Sequence, residues 1–220
     1  MAVKIICDSS SIISLADTCL INILEEINAE FIIPQSVKRE IIDDPLQTHR
    51  FMFNAARIRE LVDKGVIKVY PESLKSDAKE FMAMANNIFE HNGKRIKIIQ
   101  RGEAEAFICL KKTGANILLC DERTMRELIE NPESIVETLK ERMNIDVKMN
   151  ENIVEEIKKR ATGVKVIRSS ELFAYAYEKG LVKPKNAEVL EGGLYALKFS
   201  GCAISQKDIE QYKSLFNVGD

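Results

Sequence analysis

The pattern that most constrains this chain is a short apolar run that stops at an acid and passes straight into a helical repeat. Val3 to Cys7 carries Lys4 as its only charge and ends at Asp8-Ser-Ser-Ser, and Asn116-Ile-Leu-Leu-Cys120 ends at Asp121-Glu122-Arg123. Continuous apolar runs of this length suit strands buried on both faces, as in parallel sheets. After the first run, Ser9 to Ser11 offer N-caps, and Ile13, Leu15, Ala16, Leu20, Ile23 and Leu24 recur at helical spacing. The same unit returns at Glu30-Phe-Ile-Ile-Pro34 with a helix running from Ser36 through Glu40, and at Val164–Ile167 before a helix capped by Arg168-Ser-Ser170. A further short strand is expected at Val66–Tyr70. Strands alternating with helices predict a three-layer α/β/α fold with a mainly parallel central sheet.

Between these units the periodicity predicts a helix over Phe51–Lys64 and a long amphipathic helix from Ser73 to His91 closed by Asn92-Gly93. Another helix is expected from Gln100 to Gly114. Residues 131–163 carry no strand signal and read as a helical insertion. A C-terminal extension over about 168–220 ends in helices, the last opened by a capping box between Ser205 and Asp208. All 220 residues are expected to form a single domain.

Composition removes several function classes. No apolar run approaches the roughly 20 residues of a membrane span, and the start lacks a secretory pattern, so the expectation is a soluble, cytoplasmic protein with no membrane partner. The 5 cysteines form no C-x-x-C pair, and the only histidines are His49 and His91, which speaks against structural zinc and multi-histidine metal catalysis. Lys+Arg 32 against Asp+Glu 34 gives a net charge of −2, without the overall positive field of a protein that holds nucleic acid by charge alone. Aromatic residues are 6% with no Trp, so no base-stacking platform is indicated.

Chemistry therefore falls to carboxylates. Ligands of open parallel sheets bind beyond the carboxyl ends of the strands, which points at Asp8 and Asp121. Glu40 lies on the helix after the second strand, and Glu103 and Glu105 lie at the start of the helix before Asp121. Any one of these acids is accounted for by the preference of carboxylates for helix N-termini. Their convergence is another matter, because clustered carboxylates raise one another's pKa unless a cation joins them. An all-oxygen set without histidine suits Mg²⁺ or Mn²⁺. Ser9 to Ser11 have no neighbouring His or Lys to activate a nucleophile, and Gly192-Gly193 lacks the Lys-Ser/Thr of a phosphate loop. A haloacid-dehalogenase-like phosphotransferase needs a second acid where this chain has Ser10, and a receiver domain needs an acid directly after Tyr70, where Pro71 stands. Lys94, Arg95, Lys97 and Arg101, with Lys38-Arg39 and Arg123 with Arg126, are candidates for phosphate contact, although such charge runs are usually solvated surface.

Four segments together resemble a PIN domain, a family of metal-dependent ribonucleases with a FEN-like active site: Ile-Ile-Cys-Asp8-Ser-Ser-Ser, Ile-Ile-Pro34-Gln-Ser-Val-Lys-Arg-Glu40, Arg-Gly-Glu103-Ala-Glu105-Ala and Asn-Ile-Leu-Leu-Cys-Asp121. The resemblance is to a prokaryotic branch with a G-E-x-E-A segment and a C-terminal extension. It implies a PIN-like fold and catalytic acids at Asp8, Glu40, Glu103 and Asp121, with Ser10 beside Asp8 on the substrate side. Glu103 is favoured as the mid-chain metal ligand, and helical phase leaves Glu105 open. The implied activity is endoribonucleolytic hydrolysis of RNA with one or two Mg²⁺ or Mn²⁺ ions, Asp8, Glu40 and Asp121 converging on them. Lys94, Arg95, Arg101 and Arg123 are then expected on the substrate side. The implied partners are RNA, a second copy of the chain in a homodimer, and a protein inhibitor or antitoxin. The competing expectation is a catalytically idle PIN module that binds RNA or a protein partner.

Overall fold

The computed structural model describes residues 2–143 and 145–216. Its strands are β1 (Val3–Cys7), β2 (Ala29–Ile33), β3 (Ile67–Val69), β4 (Phe89–His91), β5 (Lys94–Arg95), β6 (Ile117–Leu119), β7 (Lys148–Met149) and β8 (Lys165–Ile167). The helices are α1 (Ser9–Asp17), α2 (Ile23–Glu26), α3 (Gln35–Lys38), α4 (Met52–Asp63), α5 (Lys75–Ala85), α6 (Arg101–Thr113), α7 (Arg123–Glu130), α8 (Ser134–Met143), α9 (Glu151–Ala161), α10 (Ser169–Glu178), α11 (Ala187–Phe199) and α12 (Gln206–Leu215). Five strands form an all-parallel sheet in the order β3-β2-β1-β6-β8. None of the described helices is long and apolar enough to cross a membrane.

Side chains alternate across this sheet and divide the core in two. Ile5, Cys7, Phe31, Ile33 and Leu119 face one layer, with α1, α4, α10 and α11. Ile6, Ile32, Leu118, Cys120 and Val166 face the other, with α5, α6, α7 and α9. This is the three-layer arrangement that the alternating pattern predicts. The stacked rings of Phe81 and Phe107, 4.4 Å between centroids, join α5 to α6 within the second layer.

Two local expectations are corrected. The helix expected to continue to His91 stops at Ala85, and the chain folds into a β4–β5 hairpin around Asn92 and Gly93. Both turn residues have positive φ, 50° and 75°, the backbone that an Asn-Gly pair adopts readily at a two-residue hairpin turn. The insertion over 131–163 is helical in α8 and α9, but between them β7 pairs antiparallel with β4. Its two residues are too short to leave a period-2 signal. The extension carries α10, α11 and α12, and Ser205 and Asp208 form the expected capping box. Residues 217–220 of that extension lie outside the described residues.

Candidate active site

A cleft of about 790 Å³ opens beyond the carboxyl ends of β1 and β6, and four acids line it: Asp8, Glu40, Glu103 and Glu122. Asp8 is the first residue past β1 and the N-cap of α1. Its Oδ2 accepts hydrogen bonds from the Ser10 backbone N–H at 3.3 Å and the Ser10 hydroxyl at 2.9 Å. The Ser10 hydroxyl in turn accepts from the Asp121 backbone N–H at 3.2 Å, tying the two strand ends together. Asp8 is 2% exposed, and its other oxygen, Oδ1, is buried without a hydrogen-bond partner. Burial pushes its carboxyl above the usual range, with the bonds from Ser10 working against that rise.

Glu40 sits in a wide π-helical turn, Arg39–Asp43, that continues α3. Burial, then the charge of Asp8, raises its pKa. Gly102, in the first turn of α6, leaves the space between these acids open. A Cβ there would lie 3.4 Å from Glu40 Oε2 and 3.9 Å from Asp8 Oδ1. Glu103 follows, and its Oε2 accepts from the Gln100 backbone N–H at 2.5 Å, the back half of a capping box. Burial, reinforced by Asp8, Glu122 and Glu40, lifts its carboxyl to about 7.

Strand register decides which acid after β6 enters the cleft. Cys7 pairs with Leu119, so Asp8 stands level with Cys120 rather than with Asp121. Cys120 therefore shares a sheet face with Asp8, and its thiol donates to Asp8 Oδ2 at 3.8 Å. Burial and the neighbouring carboxylates keep that thiol protonated by raising its pKa well above the usual value. Asp121 points to the opposite face, where it accepts from the Ser169 backbone N–H and hydroxyl, both at 2.7 Å, and anchors the start of α10. One residue later the alternation returns to the cleft with Glu122, whose pKa is raised by burial, then by Asp8 and Asp121. Of the three carboxylates expected to converge, Asp8 and Glu40 border the cleft and Asp121 does not.

The other residues singled out from sequence scatter around this centre. Glu105 is two positions from Glu103, hence on a different face of α6; it is 2% exposed and paired with Arg101 at 2.7 Å outside the cleft. Lys94 and Arg95 form the exposed β5 strand. Arg123 turns to Glu127 at 2.6 Å and to the Thr138 hydroxyl at 3.1 Å. Lys97 does line the cleft, in a segment held by Asn86, whose side-chain oxygen accepts from the Ile98 and Ile99 backbone N–H groups. The sequence points to Glu122 only as the neighbour of Asp121 in an acidic cluster, and to Asn86 not at all. The period-2 alternation past Cys120 was the available signal for Glu122.

No group of three or more His, Cys, Asp or Glu among the described residues is already set to hold a metal ion. The surroundings nonetheless fit a divalent cation. The donors are all oxygen, a buried Asp8 oxygen lacks any partner, and each carboxyl is held above its ordinary pKa by burial and like charge. A family model described as a PIN domain matches residues 4–135, which span β1 through the start of α8 and include all four cleft acids. The chain belongs to the PIN domain family. No curated protein and no solved structure matches it. The PIN domain is a nuclease fold and is in general dependent on divalent metal, so the family reading and the acid-lined cleft point to the same chemistry.

Proposed function

We propose that this PIN domain is a metal-dependent endoribonuclease, with Asp8, Glu40, Glu103 and Glu122 holding Mg²⁺ or Mn²⁺ at the cleft. The observation that carries the reading is the set of four acids with raised pKa around a buried, unpartnered Asp8 oxygen. Bound there, such a cation supplies charge neutralisation for a phosphodiester and a more acidic water. The chain's own residues do the placing. Ser10 fixes Oδ2 of Asp8, leaving Oδ1 directed elsewhere. Gly102 keeps the space beside Glu40 free of a side chain. Lys97 on the cleft wall is placed to meet a phosphate, and Asn86 holds the segment that carries it. Asp121 acts at one remove, as a positioning residue that fixes the strand end between Cys120 and Glu122.

Cleavage of a panel of single-stranded and structured RNAs with Mn²⁺, Mg²⁺ or EDTA tests the reading. The native chain should cut only with metal, and Asp8→Asn and Glu122→Gln should lose at least a hundredfold in rate while folding normally. Equal cutting by native and variant chains would refute it. RNA that is bound but never cut would instead identify an idle module.

A further inference from the structure

A second pocket backs onto the cleft and has the opposite charge. It holds about 220 Å³ where α3, α5 and α6 begin, and Arg39, Lys75, Arg101, Ser36, Ser73 and Glu105 are among its lining residues. Its only carboxylate, Glu105, is already engaged by Arg101 at 2.7 Å. Arg39 and Lys75 have no ion-pair partner among the described residues. In a chain with a net charge of −2, these cations facing one small cavity are a local concentration of positive charge. The Ser36 hydroxyl is buried without a hydrogen-bond partner, a donor that a ligand oxygen would satisfy. The wall beside it is fixed, because the Gln35 side-chain amide donates to the Tyr70 carbonyl at 3.1 Å.

The pocket's place in the chain gives it a purpose. Arg39 directly precedes Glu40, and Arg101 directly precedes Gly102; the second member of each pair lines the acidic cleft. Adjacent Cα atoms are about 3.8 Å apart, so the two cavities share a wall along the seam between α3 and α6. A polyanion lying across that seam would place one phosphate at the acids and another at the cations.

We propose that the Arg39–Lys75–Arg101 pocket binds a phosphate group of the nucleic acid next to the one presented to the acidic cleft. The inference rests on the nuclease reading for its choice of ligand. The phosphate is either an internal diester or a 5′-terminal monophosphate, and both offer the anionic oxygens that guanidinium, ammonium and hydroxyl donors recognise.

The test is binding rather than cleavage. Fluorescence anisotropy in EDTA compares 5′-phosphorylated and 5′-hydroxyl single-stranded oligoribonucleotides, with inorganic phosphate as competitor. Arg39→Gln and Lys75→Ala should each weaken binding about five- to tenfold and reduce the salt slope by about 1, while Lys79→Ala, one turn further along α5, changes little. A 5′-phosphate preference that disappears in these variants marks a terminal site; equal loss for both oligonucleotides marks an internal one. Native binding to neither oligonucleotide at low salt, or variants that bind with native affinity and slope, overturns the proposal. Its failure is separable from that of the nuclease reading. A chain that binds through Lys75 but never cuts with Mn²⁺ keeps the pocket and loses the nuclease, and one that cuts normally as Lys75→Ala does the reverse.

Discussion

Replacing Glu103 by glutamine removes a charge that the metal-free cleft holds at a cost, and the cost can be worked out. The carboxyl moves from its ordinary 4.5 to about 7 on folding, chiefly through burial, with Asp8, Glu122 and Glu40 adding repulsion. Above both values the ionised group is disfavoured in the folded chain by about 3 kcal/mol. The sign follows from the raised pKa: stability from this group is fully present below 4.5 and is lost as pH climbs through about 7. Glutamine has no such dependence, and its side-chain oxygen can still accept from the Gln100 N–H. The bond from the Gln100 N–H to the charged carboxylate is already counted in that pKa. In EDTA at pH 8, Glu103→Gln should therefore be more stable than the native chain by about 3 kcal/mol, or roughly 6–12 °C in Tm for a chain of this size. At pH 4 the advantage should vanish. Mn²⁺ should reverse the order at pH 8, because the native carboxylate gains a partner that glutamine serves poorly. Paired thermal melts at the two pH values, with and without metal, measure all of this. A variant less stable than the native chain at pH 8 in EDTA, or one whose difference is the same at both pH values, would refute the reasoning.

Other substitutions separate packing from chemistry. Asp121→Asn leaves a buried amide facing the Ser169 N–H donor and should cost about 1–3 kcal/mol in urea denaturation, whereas Glu122→Gln should leave stability nearly unchanged and lower activity. A Cβ at Gly193 would overlap the Phe173 ring, while one at Gly192 meets nothing within 4 Å. Gly193→Ala should thus destabilise by about 2 kcal/mol or more, and Gly192→Ala should be neutral or stabilising by about 1 kcal/mol, both read from unfolding midpoints.

Much of the central sheet was legible because its signal is local. An apolar run ending in Asp8 and Ser9 declares both a buried strand and the helix that follows, and the parallel pairing comes from repetition of that unit. The hairpin at Asn92-Gly93 was also written in the chain, but the amphipathic pattern before it masked the change from helical to strand period. The choice between Glu103 and Glu105 was open in sequence because both lie in the first turns of α6; the cleft shared with Asp8 on one side and the ion pair with Arg101 on the other separate them. The matching Cys-Asp junctions misdirected attention in a more instructive way. They suggest that Asp8 and Asp121 are equivalent, but β1 and β6 pair with Cys7 opposite Leu119, one residue out of step with that motif. Pairing register between distant strands is not a property of either strand alone, so no reading of the two motifs separately could place Asp121.

The bond from Ser169 to Asp121 bears on where this PIN module ends. The family match stops at residue 135, yet the sheet's last strand, β8, and the serine that fixes the strand end beneath Glu122 both lie more than 25 residues beyond it. A fragment cut at the family boundary would expose the edge of β6 and strip the Asp121 carboxylate of both its Ser169 bonds and the helix that covers it. Among the described residues, the extension thus lines none of the cleft but braces from behind the strand end that carries Glu122, and anything that pulls on α10 pulls on the ground that acid stands on.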